Sequence, residues 1–170
     1  MKVSLYITLT ANGCFSRDNH DISYISNEVI DNLKGLIKKS GNVIIGRKAY
    51  EVLSKRTDLF KKEDPRIFII SKNTIIHSDN LRINYVNFSP KRIIEFIEEE
   101  DYDKTIILGG SKTASFFLKE NLVDEIYVNI EPLLLGNGVK FFCEYPLEKR
   151  LELISTNKIS NNVIQLHYKV

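Results

Sequence analysis

Apolar and polar residues alternate at the start of the chain. Val3, Leu5, Ile7 and Leu9 are separated by Ser4, Tyr6 and Thr8. A period of two predicts a strand. The segment from Thr10 to Tyr24 is polar, carries Asn12-Gly13 and Asp18-Asn19, and reads as a long loop of the kind that often bears function. The period then changes. Val29, Ile30, Leu33, Leu36 and Ile37 fall at helical spacing, with Ser26 or Asn27 as cap and Gly41 as stop. Val43-Ile44-Ile45 is a short buried strand, and Gly46-Arg47-Lys48 opens a second helix through about Leu53.

The same alternation of elements continues downstream. Arg66 to Ile70 and Leu81 to Val86 read as strands. Ser89-Pro90 signals a third helix, through Glu99. Thr105 to Leu108 is a strand, Ser111 to about Asn121 a helix, and Glu125 to Ile130 another strand. Leu151 to Lys158 and Val163 to Lys169 flank Asn161-Asn162 as a hairpin. Eight strands and four helices in this order predict an α/β fold, with a mostly parallel sheet covered on both faces and an antiparallel edge.

Composition narrows the classes. A chain of 170 residues fits one domain, expected over 1–170, and 43% apolar residues suffice for a core. The net charge of +2 comes from lysines scattered among acids, so nucleic-acid binding is not expected. No apolar run approaches membrane-spanning length. Cys14 and Cys143 lie far apart and fit no metal spacing, which points to a reducing cytosol. His20, His77 and His167 are equally isolated, so no metal site is expected. Asp124-Glu125, Lys38-Lys39 and Lys61-Lys62 read as solvated ends of elements.

The candidate chemistry gathers where strands end. Gly109-Gly110 follows a buried strand and removes the Cβ atoms that hold a ligand off the backbone. The N–H groups of Ser111, Lys112 and Thr113 then open a helix, where the dipole favours a pyrophosphate. Gly46-Arg47-Lys48 occupies an equivalent turn, and its two cations suit a phosphate monoester. Ser71-Lys72-Asn73 follows a third strand and Thr10 to Gly13 the first. Ligands of open α/β sheets collect at such ends. Each motif also has a plain reading, as a tight turn or a pair of surface cations. Asp31 lies beside the apolar stripe of the first helix, where it is either a cleft carboxylate or an exposed helix residue.

The string GGSKTASFFLKENLVDEIYVNIEPLLLGNGVKFF resembles the C-terminal half of the riboflavin-biosynthesis reductase domain. GRKAYE at 46–51 looks like the corresponding turn of dihydrofolate reductases. TANG at 10–13 sits where such domains carry Ser-x-Asp-Gly. The resemblance runs from Val3 to Lys169 and implies a twisted eight-stranded sheet with four helices. It implies reduced nicotinamide dinucleotide phosphate, NADPH, as cofactor, with hydride transfer to a pyrimidine or pteridine. The phosphoribosylamino-pyrimidine of riboflavin synthesis is the first candidate substrate. A dihydrofolate reductase and a non-catalytic nucleotide-binding protein are the alternatives. Gly109, Gly110, Ser111, Lys112 and Thr113 would hold the cofactor diphosphate, after Gly46. Arg47 and Lys48 would meet the adenosine ribose phosphate, with Ser71 and Lys72 opposite. Thr8 would meet the nicotinamide through its backbone. Thr10 and Asn12 would face the substrate or the nicotinamide ribose, and Asp31 would be the catalytic carboxylate.

The resemblance also implies a cis peptide between Gly109 and Gly110. Asn12, Leu108 and Ala49 depart from the patterns, which carry Asp, Glu and Thr there, and the chain has no Trp. The apolar Pro132 to Phe142 segment reads as an extended strand buried in a partner, so a homodimer is expected.

Overall fold

The computed structural model describes residues 1–56, 59–60, 65–72, 80–141 and 148–170. Asn73, His77, Phe142, Cys143 and the Lys61-Lys62 pair lie outside the described residues. Ten strands and four helices follow one another along these segments. They are β1 (Lys2–Thr10), β2 (Cys14–Ser16), α1 (Asn27–Ser40), β3 (Asn42–Gly46), α2 (Arg47–Arg56), β4 (Arg66–Ile70), β5 (Ile83–Val86), α3 (Pro90–Glu99), β6 (Lys104–Leu108), α4 (Ser111–Lys119), β7 (Glu125–Glu131), β8 (Val139–Lys140), β9 (Glu152–Lys158) and β10 (Ile164–Lys169).

Eight strands form one sheet in the order β5-β4-β3-β6-β1-β7-β10-β9, and β2 pairs with β8 apart from it. Strands β5 to β7 of that order run parallel, and β10 and β9 add antiparallel. The expected sheet with its antiparallel edge is therefore present.

Two cores sandwich the central strands. On one face Leu5, Ile44, Phe68 and Ile107 pack with Ile93, Ile97, Phe117 and Leu118 of α3 and α4. On the other, Tyr6, Val43, Ile45, Ile67, Ile69 and Ile106 pack with Val29, Leu33 and Ile37 of α1. Successive residues of β3, β4 and β6 thus feed opposite layers. This is why these strands read as unbroken apolar runs. Each fully buried Ile or Leu contributes roughly 1.5–3 kcal/mol.

The helix ends follow local chemistry. Gly41 takes φ 71° and its N–H bonds Ile37 O at 2.9 Å, a left-handed stop open to glycine. Ser89 caps α3 by accepting from Arg92 N, with Pro90 in the first turn.

Four expectations need correction. The loop from Thr10 to Tyr24 contains β2, whose Cys14 and Ser16 pair with Lys140 and Val139. The extended part of the Pro132 segment is therefore paired within its own chain, and most of its other described residues are bends and irregular backbone. All peptide bonds described are trans, Gly109–Gly110 included. Gly110 is extended, φ −78° and ψ 170°, which is ordinary N-cap geometry and carries the chain into α4 without a cis turn. Finally, only Asp124 of the Asp124-Glu125 pair is a solvated end. Asp124 Oδ2 accepts from Val3 N at 2.7 Å, and Glu125 is buried between Lys2 and His167. A strand pairing on both sides needs its first backbone donors satisfied, and a carboxylate at the edge does that.

Candidate functional site

The parallel strands bring Thr10, Gly46, Ile70, Leu108 and Glu131 to one edge of the sheet. At its centre the neighbours β6 and β1 part. Their register ends at Tyr6 opposite Leu108. Strand β1 runs on to Thr10, paired only with β7 as far as Glu131. The chain leaves β1 towards β3 on one side and leaves β6 towards β7 on the other. Such a switch point leaves a crevice where ligands of open α/β sheets bind.

The glycines of this edge divide by cause. A Cβ on Gly46 would lie 2.5 Å from Thr113 Oγ1, and one on Gly109 would lie 3.3 Å from Ala114 N. Both glycines let the first turn of α4 settle onto the ends of β3 and β6, as the plain reading of a tight turn has it. Gly110 is different. Its φ is ordinary and a Cβ there would meet nothing within 4 Å. Beyond the modest preference of an N-cap for glycine, the fold gives no reason for it at this position. The open space lies at the N-terminus of α4, where Gly110 offers no capping side chain. An anion approaching this backbone closely would explain both features.

The structure thus brings Gly46, Gly109, Gly110, Ser111 and Thr113 together, with Lys112 in the same turn. Arg47 and Lys48 begin α2 directly after Gly46, and Ser71 and Lys72 follow Ile70, the register partner of Gly46. Neither first turn holds an acid, and cations stand there against the helix dipole. Arg47 makes an exposed pair with Glu51 at 3.0 Å. Ser71 is buried and its N–H bonds Val86 O.

On β1, Thr8 O accepts from the Tyr24 hydroxyl at 3.3 Å. Thr10 is buried. Its Oγ1 donates to Asn12 Oδ1 at 2.8 Å and accepts from Cys14 N at 3.0 Å. Asn12 in turn bonds the backbone of Leu135. Asp31 is not brought to this group. It stands on the outer side of α1, its side chain 69% exposed and paired with Lys34 at 3.2 Å.

Several polar residues of this edge escaped the sequence reading. Tyr6 OH donates towards Val29 O and Asn32 Oδ1. Gln165 Nε2 donates to Asn32 Oδ1 and Asn129 Oδ1, both at 2.9 Å, and Asn129 Nδ2 donates to Ile7 O at 3.0 Å. Burial pushes the Tyr6 phenol far up, so it stays a donor. Glu131, also buried, accepts from Ser26 N and Oγ. The available signal was polar residues at alternate positions of β1 and β7, strands whose two faces should both be apolar. Among the described residues no cluster suits a metal ion, and no helix is long and apolar enough to cross a membrane.

Comparison with known proteins agrees with this architecture. The solved structure of a Shewanella protein described as a putative riboflavin biosynthesis protein superposes with a TM-score of 0.80, at 22% identity over 99% of this chain and 98% of the other. A Thermotoga maritima deaminase and 5-amino-6-(5-phosphoribosylamino)uracil reductase matches with a TM-score of 0.81, at 16% identity, over 99% of this chain and 56% of that one. In sequence, the Bacillus subtilis protein YwjB, itself uncharacterised, is 24% identical over 98% of this chain and 97% of its own. The riboflavin biosynthesis protein RibD of Buchnera aphidicola is 29% identical over 54% of this chain and 33% of its own. The family model of the RibD C-terminal domain matches residues 14–165, and the chain belongs to that family.

Proposed function

We propose that this protein is an NADPH-dependent reductase that transfers hydride to a pyrimidine- or pteridine-type substrate, in the manner of the 5-amino-6-(5-phosphoribosylamino)uracil reductases. The observation that carries this reading is Gly110. It is a glycine that no packing contact requires, at a helix N-terminus with no side-chain cap, at the carboxyl end of a central strand. The residues fit a dinucleotide phosphate. Gly110, Ser111, Lys112 and Thr113 would hold its diphosphate, with Gly46 and Gly109 seating that turn. Arg47, Lys48, Ser71 and Lys72 would hold the phosphate on its adenosine ribose. The nicotinamide supplies the hydride. The chain's own part is to orient the ring along the free stretch of β1 at Thr8 and to hold the substrate near Thr10 and Asn12.

Titration with NADPH and NADH tests the reading. Wild type should prefer the phosphorylated dinucleotide by about tenfold or more, as one charge-assisted contact supplies. Arg47→Ala should shrink that preference. Equal affinities in wild type would sink it. Oxidation of NADPH, followed by absorbance with a pyrimidine and a pterin substrate, tests turnover. Binding without turnover on either would make the protein a non-catalytic dinucleotide binder. Exposed Leu134, Leu153, Ile154 and Ile164 support association as a homodimer, which light scattering would read directly.

A further inference from the structure

Glu131 is the last residue of β7 and is 4% exposed, yet no cation among the described residues pairs with it. A carboxylate held away from water needs partners. Its Oε1 takes two donors from one residue, Ser26 N at 2.7 Å and Ser26 Oγ at 2.8 Å. Ser26 is the N-cap of α1 and makes no cap bond of its own, so the carboxylate stands at the positive end of that helix. That accounts for one oxygen. Oε2 takes no hydrogen bond from the described residues and is not among their sealed, unsatisfied atoms, so it opens to solvent at the strand end.

The position of this carboxylate is informative. Glu131 faces Thr10 in register, on the sheet face shared by Thr8 and Tyr6. Here β1 has lost its β6 neighbour. Burial foremost, with the Glu131 charge adding to it, keeps the proton on the Tyr6 phenol. The negative charge therefore looks along the β1 face on the α1 side, beside the crevice. Glu131 and Glu125 are the two buried acids of the described residues, and Glu125 sits at the opposite end of β7.

We propose that Glu131 is a specificity-determining residue of the substrate site, its unpartnered oxygen accepting an N–H from a nitrogen heterocycle rich in amino or ring N–H groups. The inference rests on the reductase reading above and adds the residue that selects the ring. An ionised carboxylate only accepts. It favours amino and lactam N–H groups and disfavours a carbonyl oxygen or phosphate brought to the same point. The competing role is purely structural, an anion that caps α1 through Ser26.

The two roles separate by substitution in the full chain. Glu131→Gln keeps an oxygen for Ser26 and replaces the other by a donor. Ser26→Ala removes the hydroxyl bond to Glu131 Oε1 and keeps the carboxylate. The probe is 2,4-diaminopyrimidine, titrated by calorimetry, with unsubstituted pyrimidine as the ring without donors. Wild type should bind the diamine about tenfold or more tightly than pyrimidine, the ratio one charge-assisted bond supplies. Glu131→Gln should lose that ratio while its NADPH affinity stays near wild type and its melting temperature falls no further than that of Ser26→Ala. Ser26→Ala should lower the melting temperature and keep the ratio. Equal binding of the two rings by wild type, an unchanged ratio in Glu131→Gln, or the same loss in Ser26→Ala would each overturn the proposal. Should NADPH fail to bind while the diamine results hold, the reductase reading falls and the role of Glu131 stands.

Discussion

The side-chain amide of Asn12 pairs with the peptide of Leu135 on both edges. Nδ2 donates to Leu135 O at 2.7 Å, and Oδ1 accepts from Leu135 N at 3.2 Å. Oδ1 also accepts from Thr10 Oγ1. The side chain acts as a piece of strand that ties the loop after β1 to the loop after β7, both at the rim of the crevice.

An aspartate at position 12 would keep the two accepted bonds and turn a second oxygen towards Leu135 O. Lone pairs would face each other across the loop. Asn12 is exposed, so water takes up part of the loss. Asn12→Asp should cost about 1 kcal/mol, roughly 2–4 °C in melting temperature for a chain of this size. It should leave turnover present. Calorimetry and a pH–rate profile check both. An unshifted melting temperature would show that the Leu135 pairing does not hold the loops together.

Gly46 and Gly110 should separate packing from ligand approach. Gly46→Ala places a methyl 2.5 Å from Thr113 Oγ1, so the first turn of α4 must move. Overpacking of this kind costs about 1–3 kcal/mol. The double variant Gly46→Ala with Thr113→Ala should recover much of it. Gly110→Ala meets nothing in the protein and loses at most about 1 kcal/mol of cap preference. Its dinucleotide affinity should fall by tenfold or more, about the loss of one charge-assisted contact. Paired melting curves and titrations on the three variants read the contrast. Retained dinucleotide affinity in Gly110→Ala would remove the main support for the cofactor site.

The eight sheet strands and four helices were legible because period, caps and stops agreed along each segment, as at Ser89-Pro90 and Gly41. Strands β2 and β8 were not legible. Three and two residues carry no period, and their pairing joins Cys14 to Lys140 across the whole chain. The glycine turns were legible as a site, yet Gly46 and Gly109 owe their lack of Cβ to α4, a contact between segments that no local pattern shows. Glu131 and Asn129 were missed for a related reason. Their partners Ser26, Ile7 and Gln165 come from distant elements. Helical spacing set Asp31 beside the apolar stripe, but one position decides orientation on a helix. Its neighbour Asn32 turns inward to Tyr6 and Gln165, while Asp31 turns out to Lys34.

Asp31 therefore faces a sharp test. An exposed pair three residues apart on a helix contributes little. Asp31→Asn should leave the melting temperature within about 1–2 °C of wild type. Turnover of a pyrimidine substrate should be unchanged. Loss of pterin turnover alone, with stability intact, would bring Asp31 back into the site as its carboxylate. Steady-state rates on both substrate types distinguish these outcomes.

The last test concerns Glu125, at the end of β7 far from the crevice. Its carboxylate bonds the Lys2 ammonium and lies 3.0 Å from His167 Nε2. The His167 ring stacks on Tyr127 at 4.1 Å between centroids and 12° between planes. Burial pushes the Glu125 carboxyl up, but the hydrogen bonds from Lys2 and His167 outweigh it and hold it below its ordinary 4.5. A carboxyl depressed in the folded state stabilises the protein at pH above its unfolded value. That contribution fades as pH falls through the lower folded value. At neutral pH, Glu125→Gln should lower the melting temperature by about 2–8 °C, corresponding to roughly 1–2 kcal/mol for charged hydrogen bonds. Acidification should close the gap, because wild type loses by protonation what the variant already lacks. The gap should begin to narrow near pH 4.5 and shrink further below it. Melting curves of the two proteins from neutral to acid pH read this directly. A gap that stays constant as the pH falls would mean that Glu125 contributes through shape and packing, and its charge contributes nothing.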